Sequence, residues 1–107
     1  MKLLWSRRSR ADRRAILRYI ARPGLDNIKA AQRWDTCIVA RAEKAAQVPT
    51  TGHRPPELRN DPRYENILQV WLRTYRIIYR VEASTVVVLR VWEGHQLLSL
   101  EDLPPPK

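Results

Sequence analysis

Cysteine occurs once in these 107 residues, at position 37, which excludes an internal disulfide and leaves no cysteine-rich metal framework. Long apolar runs are missing too. Nothing approaches the roughly 20 consecutive apolar residues that a membrane span needs, and Met1-Lys2-Leu3-Leu4-Trp5 gives out into Arg7-Arg8 before a signal-peptide core could form. A cytoplasmic address without membrane attachment is expected. There are no internal repeats. Acidic residues are scarce, 11 against 20 basic ones. What remains is 44% hydrophobic and 29% charged, the balance of a globular protein. One domain over 1–107 is expected, large enough for a single modest core and too small for a second.

The basic excess gives a net charge of +9 and is carried mostly by arginine. Guanidinium is a planar fork of donors that suits phosphate and carboxylate and stacks on bases. Such a balance points to nucleic acid or an acidic protein partner; the plainer alternative is a base composition that favours arginine codons, with most guanidiniums merely solvated. The charge is uneven. Residues 1–22 hold eight basic residues against Asp12 alone, whereas residues 91–107 are mildly acidic.

Lys2 to Ser6 is a short apolar run that can form a strand. Ser9 with Asp12 three residues on matches a capping box, and Ala11, Ala15, Ile16, Tyr19 and Ile20 follow at helical spacing. Pro23-Gly24 should stop this helix. Asp26 or Asn27 can cap a second one to about Gln47, whose stripe is Ala31, Trp34, Ile38, Ala42 and Ala45. The short connection implies an antiparallel helical hairpin. Cys37, beside the stripe, reads as a small core residue rather than a nucleophile. Residues 48–63 carry five helix- and strand-breaking Pro and Gly positions and read as a long loop without regular structure. Three strands follow: Glu65–Leu72, Tyr75–Val81 and Thr85–Trp92. Arg73-Thr74 and Glu82-Ala83-Ser84 are their turns. Residues 97–107, ending Pro104-Pro105-Pro106-Lys107, read as an extended Pro-rich tail outside a core of about 3–96. The expected fold is α+β, an N-terminal strand and a two-helix hairpin on one face of an antiparallel sheet, with the other face open.

Strand alternation then assigns faces. Val87, Leu89 and Val91 should face the helices, with Val86, Val88, Arg90 and Trp92 opposite; in the middle strand Ile77 and Tyr79 oppose Arg76, Ile78 and Arg80. The open face would bear Arg76, Arg80, Arg90 and Trp92, fringed by Arg54, Arg59 and Arg63. Guanidiniums among aromatic rings suit single-stranded nucleic acid, and equally an acidic partner segment. They could also simply keep an exposed sheet soluble.

The run Trp5-Ser6…Ala11-Asp12…Ile16…Tyr19-Ile20, Pro49…Gly52-His53-Arg54…Leu58-Arg59, then Tyr75-Arg76-Ile77-Ile78-Tyr79-Arg80-Val81…Val86-Val87-Val88-Leu89-Arg90-Val91 resembles the RelE/ParE toxin family from about residue 3 to 96. The resemblance implies a bacterial type II toxin that arrests growth and a cognate antitoxin that blocks it. No cofactor and no metal are expected, and no sequence-specific DNA binding without the antitoxin.

The family divides by target. RelE-like members are ribosome-dependent endoribonucleases that cut messenger RNA, and on that reading Arg76, Arg90 and His95 would be catalytic, with His53 or Glu93 as a base. Gln69 and Trp71 stand where such enzymes place lysines, however, and Glu93-Gly94-His95-Gln96 lacks their Lys-Arg pair. ParE-like members inhibit DNA gyrase by binding, and the hairpin, the Gly-His-Arg loop and the incomplete nuclease set make this chain closer to them. On that reading Arg54, Arg59, Arg76, Arg80, Arg90 and Trp92 are the candidate target-binding residues.

Overall fold

The computed structural model describes residues 1–22 and 27–105. Strand β1 (Lys2–Trp5) leads into helix α1 (Arg7–Ile20), and helix α2 (Ile28–Gln47) follows. Strands β2 (Ile67–Leu72), β3 (Tyr75–Val81) and β4 (Thr85–Glu93) complete the regular elements. The helix stop expected at Pro23-Gly24, the cap at Asp26 and the chain end at Pro106-Lys107 lie outside the described residues. Asn27 occupies the cap position of α2, but its side chain makes no capping bond.

Helix α1 starts earlier than its expected capping box. Ser6 is the N-cap, accepting from the Ser9 N–H at 3.1 Å, while Ser9 itself is fully buried inside the helix. The buried side of α1 is also more polar than expected. Ile16 and Ile20 are half-buried, but Ala11 and Ala15 are exposed and Tyr19 is 65% exposed. The inward positions are shared with Asp12 and Arg13, whose charges find partners inside the fold. Arg13 forms a two-pronged pair with Asp35 of α2 at 2.9 and 2.8 Å. Arg13 and Asp35 stand equally far from the facing helix ends, at Ile20 and Ile28, as an antiparallel hairpin requires. On α2 the expected stripe is met: Ala31, Ile38, Ala42 and Ala45 are buried and Trp34 packs against the core. Cys37 is not in that core; it is exposed, one position off the stripe.

The sheet order is β1-β4-β3-β2. The meander is antiparallel as expected, and β1 adds to β4 in parallel, making the sheet mixed. The helices cover one face, where Ile38, Ala42, Ala45 and Ala46 meet Val70, Ile77, Tyr79, Val86, Val88 and Val91. The faces of β3 are as strand alternation assigns them. In β4 they are reversed for its first half: Val86 and Val88 face the helices, and Leu89 and Val87 the other side. The cause is a β-bulge. Tyr79 pairs with Val88 but Ile78 with Arg90, so Leu89 is the extra residue and the inside-outside parity changes there. Arg73, in the two-residue β2–β3 turn, takes a left-handed φ of 54°, a conformation costing a non-glycine residue about 1 kcal/mol.

The second face is not open. Residues 49–64 form three 3-10 turns, Pro49–Thr51, Pro56–Leu58 and Pro62–Tyr64, each opened by a proline. Proline suits the first position of such a turn because its fixed φ is already helical and its missing N–H would go unpaired there. Leu58 and Tyr64 from this segment, with Leu98 and Leu103 from the tail, bury Ile67, Ile78, Leu89 and Trp92 in a second core. The tail therefore belongs to the fold up to Leu103, past the boundary expected at residue 96. A 3-10 turn at Leu100–Asp102, closed by a Ser99–Asp102 capping box, holds it in shape.

The loop is also tied to the first core. Tyr79 Oη donates to the Pro49 carbonyl at 2.7 Å, and Gly52 lies directly over that hydroxyl. A Cβ at Gly52 would collide with the hydroxyl and sit 2.9 Å from the ring and 3.0 Å from the Gln69 carbonyl. Gly52→Ala is expected to lower the unfolding free energy by about 1–3 kcal/mol through overpacking, and Tyr79→Phe by about 1 kcal/mol. Urea titration checks both; an unchanged midpoint for Gly52→Ala would show that the loop is not clamped there.

Candidate functional site

Arg76, Arg80, Arg90 and Trp92 do lie on the face away from the helices, but they are covered. Arg76 is 3% exposed and Arg80 9%. Both terminal nitrogens of Arg76 donate to Glu57, at 3.0 and 2.8 Å. The same guanidinium donates to Gln69 Oε1 at 3.0 Å and to the Gln96 carbonyl at 3.1 Å. Glu57 closes the set by accepting the Leu98 N–H at 2.8 Å. Burial would raise the Glu57 pKa, but the bonds from Arg76 and Leu98 outweigh it and hold the carboxyl at about 2. The loop, strand β3 and the tail thus share one ion-paired node.

Arg90 forms a second node. Its Nε and NH2 donate to Asp12 of α1, both at 2.9 Å, and its guanidinium lies 4.6 Å above the Trp92 ring. NH1 reaches the Asp102 carbonyl at 3.4 Å. Asp12 raises the Arg90 pKa further above its ordinary value. The Asp12 carboxylate also accepts the Val91 N–H at 2.9 Å, capping the edge of β4 just beyond the reach of β1. Ser6 caps the same edge from its other side, donating to the Leu89 carbonyl at 3.0 Å.

The remaining candidates are scattered in role. Arg54 is half-buried and donates to the Leu58 and Asp61 carbonyls at 2.7 and 3.0 Å, shaping its own loop. Arg80 reaches Glu82 at 3.4 Å. Arg63 pairs with Asp61 at the surface. Arg59 is exposed. His53 is exposed, and its backbone bridges to Gln69 on the outer edge of β2. His95 is also exposed; its Nδ1 lies 2.6 Å from Glu93 Oε1, and that bond lowers the Glu93 pKa. The nuclease set is therefore not assembled. Arg76 donates to the carbonyl of Gln96, the residue next to His95, but both its terminal nitrogens are occupied by Glu57. Arg90 is held by Asp12.

Two of the surfaces open to a partner among the described residues adjoin these side chains. One is an open groove of about 480 Å³ between α1 and the second half of β4, lined by Ala15, Ile16, Tyr19, Tyr75 and Val91. The other is the corner where Trp71, 46% exposed, packs on Gly94 beside the Glu93–His95 pair. Among the described residues no group of His, Cys, Asp and Glu is placed to hold a metal ion, and no helix is long and apolar enough to cross a membrane.

Sequence reasoning missed Glu57, Asp12 and the covering residues Leu58, Leu98 and Leu103. The signal was present in Leu58 and Tyr64, apolar residues inside the proline-rich segment, and in Leu98 and Leu103 inside the tail. The carboxylates carried none, because which acid meets which arginine depends on contacts 19 and 78 residues apart along the chain.

A family model described as the ParE toxin of the type II toxin-antitoxin system, parDE, matches residues 3–98. No curated protein matches significantly. Among solved structures, the chromosomal ParDE toxin–antitoxin system from P. aeruginosa is similar in fold, with a TM-score of 0.70 at 20% identity. The match covers 87% of this chain and 95% of that one.

Removing one partner of a covered ion pair leaves an uncompensated charge, at about 3–5 kcal/mol. Glu57→Gln is expected to cost about 3 kcal/mol. The pH dependence follows from the same pair: a carboxyl lowered from 4.5 to about 2 adds stability that is complete above about pH 4.5 and lost as pH falls toward 2. Unfolding followed by circular dichroism should show a decline across that window in the natural chain and a flatter profile in Glu57→Gln. Equal slopes in the two would remove the Arg76–Glu57 pair from the account.

Proposed function

The chain belongs to the ParE toxin family of type II toxin–antitoxin systems, and on that premise we propose that it arrests bacterial growth by binding and inhibiting DNA gyrase. A cognate antitoxin protein neutralises it, and its site of action is the cytoplasm. The observation that carries the binding reading is the commitment of Arg76 and Arg90 to Glu57 and Asp12. Phosphodiester cleavage needs cationic groups free to neutralise the strained phosphate, and a base and acid aligned on either side of it. These two arginines instead neutralise the protein's own carboxylates, and His95 faces solvent beside Glu93. A protein that works by binding needs only a firm surface, which such internal pairs help to provide.

Of the six candidate contacts, Arg59 is the one whose side chain is exposed for direct use. Arg54, Arg76, Arg80, Arg90 and Trp92 would act by positioning the loop and tail. Nothing in the geometry favours the ribosome-dependent endoribonuclease over this reading.

Induction of the chain alone should arrest growth with DNA-damage signalling, and co-expression of the antitoxin should restore it. Purified protein should block supercoiling by gyrase. His95→Ala should arrest growth as well as the natural chain does. If gyrase is unaffected well above the toxic concentration, the target is wrong. If His95→Ala folds normally yet abolishes both growth arrest and cuts in translated messages, the endoribonuclease reading replaces this one.

A further inference from the structure

The arginines that remain unspent lie elsewhere. Arg7, Arg10, Arg14 and Arg18 of α1 are all exposed, and none of their side chains has a hydrogen bond, ion pair or ring contact among the described residues. At 3.6 residues per turn they fall within an arc of about 80°, and the line from Arg7 to Arg18 is about 16 Å long. The opposite arc carries the inward residues Ser9, Asp12, Arg13, Ile16 and Ile20. Each neighbouring charge is already engaged: Asp12 with Arg90, Arg13 with Asp35, and Arg8 with the Glu101 carbonyl. No carboxylate of α1 faces the stripe, because Asp12 is the helix's one acid and it points inward.

We infer that this stripe is a second binding surface, for the phosphate backbone of a nucleic acid duplex, independent of base sequence. The occupant follows from what the stripe has and lacks. A protein partner is held by a desolvated centre of large apolar or aromatic side chains, and the arc of these arginines holds none, being flanked by Ala11 on one side and the half-buried Leu17 on the other. A single strand is held by aromatic platforms on which bases stack, and the stripe has none. A regular row of guanidiniums on a rigid helix suits a rigid row of phosphates, where contacts position the protein without reading sequence. Like charges spaced at three and four residues also repel one another along the helix, and a polyanion relieves that repulsion.

The inference goes beyond the gyrase reading, and its test contains no gyrase, so the two can fail separately. Fluorescence anisotropy of the purified chain is measured with labelled 20-base-pair duplexes of two unrelated sequences, with single-stranded RNA and with an acidic polyglutamate peptide. Four phosphate contacts give a slope of log affinity on log salt of about −3 to −4, and a loss on the order of 100-fold between 50 and 200 mM salt. Both duplexes should bind alike and more tightly than the strand or the peptide. The variant with Arg7, Arg10, Arg14 and Arg18 all changed to Gln, a residue of similar helix propensity, should lose most of the affinity and most of the slope. A control with Lys29, Arg33, Lys44 and Arg73 changed to Gln removes the same charge elsewhere, at exposed positions given no binding role, and should stay within a few-fold of the natural chain. Equal losses in the two variants would mean net charge alone, and would overturn the inference. So would tighter binding to the strand or the peptide, or no duplex binding at 50 mM salt.

Discussion

Glu57 accepts both terminal nitrogens of Arg76 and the Leu98 N–H, and through that carboxylate three parts of the chain distant in sequence hold one another. The loop after α2, the central strand and the C-terminal segment have no regular hydrogen-bond ladder in common. The ion pair gives them a shared reference point, and the second core of Leu58, Tyr64, Ile78, Leu89, Trp92, Leu98 and Leu103 packs around it. The pair is not a simple gain in stability. Arg76 Nε is buried without a protein acceptor, as is Arg80 Nε, so the cost of desolvating these groups is only partly offset. What such a pair supplies is a single arrangement, because any other leaves a charge buried alone.

The Asp12–Arg90 pair does the equivalent work on the neighbouring strand β4, tying it to α1. The bulge at Leu89 turns Arg90 onto the same side as its neighbour and interrupts the ladder. Asp12 answers both consequences, pairing the guanidinium and capping the Val91 N–H. The chain's positive charge is thereby sorted into two populations. Arginines in the strands are consumed internally, whereas those on the outer line of α1 meet only solvent. A net charge of +9 therefore describes the surface of the first helix better than it describes the sheet.

Much of the fold was legible because it depends on local periodicity. Ile38, Ala42 and Ala45 mark the buried side of α2, and Tyr75–Val81 and Thr85–Trp92 read as a hairpin. The whole arrangement agrees with membership of the ParE toxin family. What escaped had physical reasons. Alternation assumes an unbroken ladder, and one extra residue at Leu89 reversed the faces of Val86, Val87, Val88 and Leu89. Prolines 49, 56 and 62 were read as breakers when they start 3-10 turns. The tail was classed by its final prolines, which hid Leu98 and Leu103. Above all, an arginine in a strand looks the same in sequence whether it faces solvent or a carboxylate many residues away, and the candidate site turned on that difference.

Chemical modification reads that difference directly. An arginine-selective dicarbonyl reagent, applied to the folded chain with site-by-site mass spectrometry, reports which guanidiniums are accessible. Arg7, Arg10, Arg14 and Arg18 should react quickly, while Arg76, Arg80 and Arg90 stay protected until denaturant is added. Reaction of Arg76 and Arg90 in the folded chain as fast as that of the α1 arginines would contradict the account, because the strand arginines would then be free for a ligand and the internal pairs would not be the structure's organising contacts.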